Sequence, residues 1–167
     1  VEMRPLEVGK AVHVGTVRVV PHRTSHLADL KNSFGKKYPQ PFDCFSFTFE
    51  APGIRVGHTA DIGVLDDLNP LVAKPLDHLT CELAHCDLEG VCELLRDKEV
   101  GGVTFIHLAR PLWENVRGTR RKLKEVMGGI PFEIGREGVE TGLNRLHVVA
   151  RKSIAKPTVK SPMTALG

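Results

Sequence analysis

The chain has 167 residues, of which 41% are hydrophobic and 26% are charged, and its formal net charge is +3. These values are typical of a soluble globular protein, and the length fits one domain. The sequence contains no run of about 18 apolar residues and no charged segment leading into an apolar one. It therefore predicts neither a transmembrane helix nor a secretory signal, and we expect no membrane partner.

The first segment, KAVHVGTVRVVPHRTSH (residues 10–26), predicts a valine-rich, half-buried ribbon with a turn at Gly15. Pro21 is expected to end its regular ladder or to lie on a sheet edge, because proline has no N–H to donate. Residues 22–26 are then predicted to leave the strand as a polar loop. Residues 27–43 predict a short helix or turn followed by a surface loop.

The clearest strand of the sequence is CFSFTFE (residues 44–50), in which apolar and polar residues alternate strictly. The alternation places its three phenylalanines on one face. After the tight turn APG, IRVGHTA (residues 54–60) predicts the hairpin partner of this strand.

The remainder of the chain alternates helices and strands. Connections of ten or more residues between strands predict parallel crossovers that pack on one face of a sheet, which is an α/β arrangement. The predicted elements are a short helical turn broken by Pro70 and Pro75, a strand at 77–85, a helix at 87–100 capped by Asp87, a strand at 101–110, a basic helix at 113–129 and a last strand from residue 131.

The positive charge belongs to the carboxyl end. From Leu143 to Gly167 there are five basic residues and no acidic one, whereas the first 142 residues carry 18 basic and 20 acidic residues. We therefore divide the chain into a domain, residues 1–142, and a basic tail, residues 143–167. Such a tail suits contact with nucleic acid, and it suits equally a solvated end or an arm packed on a neighbour.

The cysteines favour a reducing compartment. No two of the four form a C-x-x-C pair, which disfavours a zinc knuckle. We expect them to be reduced and buried in a cytoplasmic protein. They are Cys44, Cys81, Cys86 and Cys92.

Polar residues that are able to bind metal recur where the predicted strands end. They are His26, Asp61, Glu82 with His85, and His107. Singly, each is explained as well by a surface histidine or a turn aspartate. Because ligands of open α/β sheets bind at the carboxyl ends of strands, their recurrence favours a site for Zn²⁺, or for Mn²⁺ or Fe.

The run from Phe45 to Gly138 resembles the carboxyl-terminal half of a metallo-β-lactamase-fold hydrolase, of the branch that includes transfer-RNA 3′-processing nucleases and cyclic-nucleotide phosphodiesterases. FSFTFEAPGIRVGHTADIG resembles the hairpin and strand that end in the family's metal-bridging aspartate, here Asp61. DHLTCELAHCDLEGVCELL resembles the next strand, with an acid and a histidine before a helix. GGVTFIHLAR places the last metal-binding histidine at His107, and VRVVPHRTSH places an earlier one at His26.

The resemblance, which covers roughly residues 8–138, implies the carboxyl-terminal half of an αββα sandwich, with a mixed sheet and helices on one face. It implies two metal ions, expected to be Zn²⁺, that Asp61 bridges, with His26 on one metal and His107 on the other. The implied activity is hydrolysis, with a phosphodiester of RNA or a cyclic nucleotide as the expected substrate. We also expect backbone N–H groups near Ile62 and Gly63 to hold Asp61.

The resemblance implies a separate role for Glu82 and His85. In the nuclease branch an acid and a histidine beyond the metals donate a proton to the leaving oxygen, and this pair is placed to do so. The structural alternative is that Glu82 makes sheet contacts and His85 caps the following helix.

One departure from the family is large. The signature H-x-H-x-D-H is absent, since no two of the eight histidines have that spacing. Two interpretations follow: the amino-terminal half is another chain or a removed segment, which the valine start favours, or the site is lost and the protein is a non-catalytic binding or scaffold module. Because a half-sandwich exposes an apolar sheet face, a homo-oligomer is a further expected partner.

The sequence also offers two basic segments to a nucleic acid or nucleotide substrate. They are the loop Lys31–Pro41 and the predicted helix stretch Arg117–Lys124. A solvated helix face explains the second equally well. If instead the resemblance is accidental and the chain is an ordinary α/β domain, His26, Asp61 and His107 would lie more than about 10 Å apart.

Overall fold

A seven-stranded mixed sheet organises the described part of the chain, which in the computed structural model is residues 5–140. The strands lie side by side in the order in which they occur along the chain. They are β1 (Val12–Val14), β2 (Val17–Thr24), β3 (Cys44–Ala51), β4 (Ile54–His58), β5 (His78–Leu83), β6 (Val103–Leu108) and β7 (Phe132–Ile134).

The first four strands pair antiparallel, and β3 and β4 form the predicted hairpin. The prediction for Pro21 and the polar loop after it is partly wrong, because β2 runs through the proline to Thr24. β1 pairs with β2 only as far as Val19. The carbonyl of Pro21 faces that same side, where it accepts a hydrogen bond from the Gly9 N–H. At Pro21 the side of β2 that faces β1 is therefore no longer paired with a strand, so the missing N–H of the proline does not disturb the pairing with β3.

The last four strands pair parallel, as the alternation of helices and strands predicts. Five α-helices occur in the described residues. They are α1 (Ala28–Phe34), α2 (Asn69–Val72), α3 (Leu88–Arg96), α4 (Arg110–Glu114) and α5 (Val116–Val126), and a 3₁₀ turn, Leu65–Leu68, leads into α2.

Two predicted helices differ from the observed ones. The basic helix predicted at 113–129 is two helices, because Asn115 leaves the helical conformation and its side chain accepts a hydrogen bond from the Gly118 N–H, capping α5. Pro70 does not break a helical turn but lies in the first turn of α2, where a missing N–H costs nothing. The predicted cap of α3 is confirmed, since Asp87 accepts from the Gly90 N–H.

The hydrophobic core lies between one face of the sheet and the helices α2, α3 and α5. Leu79, Cys81 and Leu83 of β5 are fully buried there and share a cluster with Leu95 of α3 and Leu123 of α5. The amphipathic pattern of α3 requires such a partner, because its apolar stripe would otherwise face water. This is the α/β arrangement of a mixed sheet with helices that the sequence predicts.

The opposite face of the sheet carries the phenylalanines of β3. Ser46 and Thr48 point towards the helices and are buried, so Phe45, Phe47 and Phe49 point the other way and stay partly exposed. Their rings form a row, with centroids 6.5 Å and 6.1 Å apart. We call these three side chains the phenylalanine row.

Three sequence predictions concern other parts of the molecule. The basic tail, residues 143–167, lies outside the described residues. Within the described residues, no helix is both long and apolar enough to cross a membrane. The cysteines are all free, as predicted, but only Cys81 and Cys92 are buried, while Cys44 and Cys86 are partly exposed.

Candidate metal centre

Asp61 lies three residues after the end of β4, in a loop that the end of β2 helps to hold in place. Its backbone carbonyl accepts a hydrogen bond from the Thr24 hydroxyl at 2.9 Å. Ala60, directly before it, has φ of +47°, which is a left-handed conformation uncommon for a residue with a side chain. The turn leaves the Asp61 side chain 44% exposed, so its carboxylate is accessible to a ligand.

Two histidines face the two oxygens of this carboxylate. The Nε2 atom of His26 lies 3.8 Å from Asp61 Oδ2, and the Nε2 atom of His107 lies 3.9 Å from Asp61 Oδ1. The three predicted metal ligands are therefore close together, well within the separation of about 10 Å that would have made the resemblance accidental.

His107 reaches this position through an irregularity in β6. Glu82 of β5 pairs with Ile106, but the next residue, Leu83, pairs with Leu108, so His107 has no partner in the ladder. Its φ of +44° accompanies this bulge. A bulge of this kind redirects a side chain, and non-glycine residues in the left-handed region cluster at functional sites.

The predicted pair of Glu82 and His85 is formed. Glu82 is 1% exposed, and its Oε1 atom lies 3.2 Å from His85 Nδ1. The same carboxylate accepts hydrogen bonds from the backbone N–H groups of Ile62, Ala84 and His85. Glu82 thereby fixes His85 against the site. The structural alternative for His85 is wrong, because Asp87 caps the following helix instead.

His85 also lies among the metal-competent side chains. Its ring centroid is 4.4 Å from that of His26 and 5.4 Å from that of His107. Asp61, His85 and His107 each offer a ligand atom, and these atoms lie within 4.8 Å of one another. Two imidazoles and a carboxylate are a donor set that Zn²⁺ takes in proteins, so the residues present fit a metal ion.

The candidate site residues do not all lie at the last residue of a strand, which is where the sequence predicts them. His26, Asp61 and His85 lie two or three residues beyond their strands, whereas Glu82 and His107 lie inside theirs. They converge nevertheless, because all of them belong to the same end of β2, β4, β5 and β6.

The prediction that backbone N–H groups near Ile62 and Gly63 hold Asp61 is wrong. The Ile62 N–H donates to Glu82, and the Gly63 N–H donates to Asp67. Sequence reasoning missed Asp67. Its only signal was an acidic residue in the predicted helical turn, and such residues are common without any role at a site.

A cavity of about 1140 Å³ opens beside His107, between β6, β7 and the helices that follow β6. Trp113, Arg120 and Arg136 line it, together with Glu133 and Glu137. Arg120 belongs to the basic segment that the sequence offers to a phosphate, whereas Lys31, Lys36 and Lys37 of the other basic segment are exposed and do not line this cavity.

Comparison with known proteins identifies the fold. No protein-family model matches the sequence, and no curated protein matches it significantly. Among solved structures, the chain is similar to the metallo-β-lactamase fold protein YhfI from Bacillus subtilis, with a TM-score of 0.60 and 16% identity over 80% of this chain and 53% of that one. It is also similar to a protein from Parabacteroides distasonis described as a metal-dependent hydrolase, with a TM-score of 0.56 and 12% identity over 80% of this chain and 57% of that one.

A third similar structure is a variant of the β-hydroxylase CmlA, with a TM-score of 0.50 and 8% identity over 81% of this chain and 33% of that one. The described residues thus have the metallo-β-lactamase fold. The chain spans little more than half the length of the first two structures that it matches. Since one of the three is a hydroxylase, the fold by itself does not assign a reaction.

Proposed function

We propose that the protein is a metal-dependent hydrolase that cleaves phosphodiester bonds, in RNA or a cyclic nucleotide, when the amino-terminal half of the fold completes its site. One observation carries the proposal. The carboxylate of Asp61 faces His26 on one side and His107 on the other, at 3.8 Å and 3.9 Å, beside a histidine that is held by a buried glutamate.

The side chains of His26, Asp61 and His107 would hold the metal ions, with Asp61 between them. Zn²⁺ suits this donor set, and Mn²⁺ or Fe are alternatives. When bound, such metals act as Lewis acids that polarise an ester and favour the ionisation of water near neutral pH. The partial exposure of Asp61 and His107 leaves room for a substrate at the same place.

His85 is proposed to donate a proton to the leaving oxygen. Its Nδ1 atom is occupied by Glu82, so Nε2 is the ring nitrogen that can exchange a proton with a substrate. The buried Glu82 carboxylate fixes the orientation of the imidazole. The same contact also suits a metal ligand, because ligating histidines commonly place their second nitrogen against a carboxylate.

The cavity beside His107 supports a phosphodiester as the substrate class. Arg120 and Arg136 line it, and a guanidinium matches the geometry of a phosphate group. The partly exposed indole of Trp113 offers a surface on which a base can stack.

The phenylalanine row supports a second half of the sandwich. Three partly exposed aromatic rings on the uncovered face of a sheet form a patch that a soluble protein normally covers. The amino-terminal half of the same fold, as another chain or a preceding segment, is the proposed cover, and a second copy of this chain is the alternative. The four free thiols support a location in the cytoplasm.

The decisive experiment measures metal and hydrolysis together in the chain purified with its natural partners. We expect the wild-type assembly to contain Zn²⁺ and to hydrolyse bis(p-nitrophenyl) phosphate. In Asp61→Ala we expect hydrolysis to be lost and the affinity for Zn²⁺ to fall at least about tenfold. His13→Ala is the matched control, because His13 lies on β1, at the far edge of the sheet. An assembly without transition metal, or an Asp61→Ala variant with normal hydrolysis, would overturn the proposal.

His85→Ala separates the two roles of that side chain. A proton donor predicts a lower kcat with unchanged Zn²⁺ affinity, whereas a ligand predicts a weaker affinity as well. If the assembly instead binds a partner tightly and a chelator changes nothing, the non-catalytic binding module is the correct function.

A further inference from the structure

The loops that carry His26 and Asp61 come from strands that are not neighbours. β2 precedes His26 and β4 precedes Asp61, and β3 lies between the two strands in the sheet. No ladder of backbone hydrogen bonds therefore joins β2 directly to β4. The hydrogen bond from the Thr24 hydroxyl to the Asp61 carbonyl links the last residue of β2 to the loop of Asp61. Asp67, which belongs to neither loop, makes another link.

A single oxygen of Asp67 joins both loops. Its Oδ2 atom accepts hydrogen bonds from the Ser25 N–H, the Ser25 hydroxyl and the Gly63 N–H, each at 2.9 Å. Ser25 directly precedes His26, and Gly63 follows Asp61 by two residues. One carboxylate oxygen thus helps to set the position of each loop relative to the other.

The two loops also touch at Gly63, where no side chain fits. A Cβ atom on Gly63 would lie 2.5 Å from Ser25 Oγ, 2.7 Å from the Ser25 carbonyl carbon and 2.8 Å from the His26 nitrogen. Two of these atoms belong to the backbone and cannot move aside without moving His26. Glycine is therefore required for the close approach that the carboxylate holds together.

The charge of Asp67 strengthens these contacts. Partial burial by itself raises the pKa of this carboxyl, but the hydrogen bonds from Ser25, Gly63 and Val64 outweigh burial and keep the pKa below its ordinary value. The group is an anion at neutral pH, and hydrogen bonds to a charged acceptor are roughly twice as strong as those between neutral groups.

We propose that Asp67 is a positioning residue that sets the separation of His26 and Asp61 for metal binding. It acts through the backbone of Ser25 and Gly63 and touches neither metal nor substrate. The inference rests on the proposed function, since it takes His26 and Asp61 as metal ligands.

Titration with Co²⁺ of the chain purified with its natural partners, followed by visible absorption, tests the inference without any activity assay. Asp67→Asn keeps the size of the side chain but removes its charge. We expect its Kd for Co²⁺ to rise by about 10- to 100-fold and its absorption spectrum at saturation to differ from that of the wild type. Asp66→Asn is the matched control, because in the described residues Asp66 Oδ1 accepts a side-chain hydrogen bond only from exposed Asn69. It should change neither quantity.

The outcomes separate this inference from the proposed function. If Asp67→Asn matches the wild type while Asp61→Ala abolishes Co²⁺ binding, the positioning role is overturned and the metal site stands. A raised Kd with a wild-type spectrum at saturation means that Asp67 stabilises only the fold, which also overturns the role. A wild-type assembly that binds no Co²⁺ overturns both.

A second variant covers the case in which Asp67→Asn does not fold. Ser25→Ala deletes one hydrogen bond of the cluster and leaves the backbone donors, so the chain should fold, which circular dichroism verifies. We expect a rise in Kd of a few-fold and a smaller spectral change of the same kind. An unchanged Kd and spectrum in Ser25→Ala would then overturn the proposal.

Discussion

At the scale of single residues, Glu82 shows how one buried carboxylate organises the site. Four N–H groups point at it, from the backbones of Ile62, Ala84 and His85 and from the His85 ring. In Glu82→Gln one acceptor oxygen becomes an NH₂ group that faces some of these donors. We expect a loss of about 1–3 kcal/mol in the free energy of unfolding, because buried donors are left without an acceptor. Urea denaturation measures it.

Glu93→Gln is the control for this change. Glu93 is 77% exposed, and among residues 5–140 it forms only a long ion pair with Arg96, at 3.9 Å. The free energy of unfolding should therefore change by less than about 0.5 kcal/mol. Equal effects in the two variants would mean that the contacts of Glu82 contribute little to the fold.

At the scale of elements, the break at Asn115 ends α4 and begins α5. The cap at Asn115 satisfies the first turn of α5, whose residue Arg120 lines the cavity beside His107. Asn115→Ala should lower the free energy of unfolding by about 1 kcal/mol, since the Gly118 N–H loses its acceptor. Thermal unfolding followed by circular dichroism measures this loss.

Glu114→Ala is the neighbouring control. Its ion pair with Arg110 is exposed, so its removal should cost no more than about 0.5 kcal/mol. If Asn115→Ala and Glu114→Ala have the same free energy of unfolding, the cap at Asn115 does not stabilise the break, and α4 and α5 could equally form one continuous helix.

At the scale of the whole molecule, the phenylalanine row is the surface through which we expect the chain to associate. Burying one phenylalanine is worth about 1.5–3 kcal/mol. Phe47→Lys should therefore weaken self-association or binding of the other half by about 10- to 100-fold, as measured by sedimentation. Phe34→Lys serves as a comparison, because Phe34 is 46% exposed on α1, outside the sheet, and should leave association unchanged. An equal effect of the two substitutions would contradict an interface at this face.

Some of this molecule could be predicted from the sequence because it depends on local patterns. The strict alternation of residues 44–50 fixes which side chains share a face, and the apolar stripe of α3 requires a sheet to pack on. The order of the strands follows from short hairpins and long crossovers. The proximity of His26, Asp61, Glu82, His85 and His107 could be predicted because each lies near the same end of a strand in one sheet.

Other features were decided only by the tertiary structure. The bulge that redirects His107 depends on how β6 pairs with β5, and the proline in β2 is tolerated because β1 stops before it. Asp67 was missed because its hydrogen bonds reach Ser25, 42 residues earlier in the chain. The sequence determined which residue types stand near the ends of the strands, since that depends on neighbours in the chain. Only the folded structure decided which carboxylate faces a histidine and which one holds the loops, because those contacts join segments that are distant in sequence.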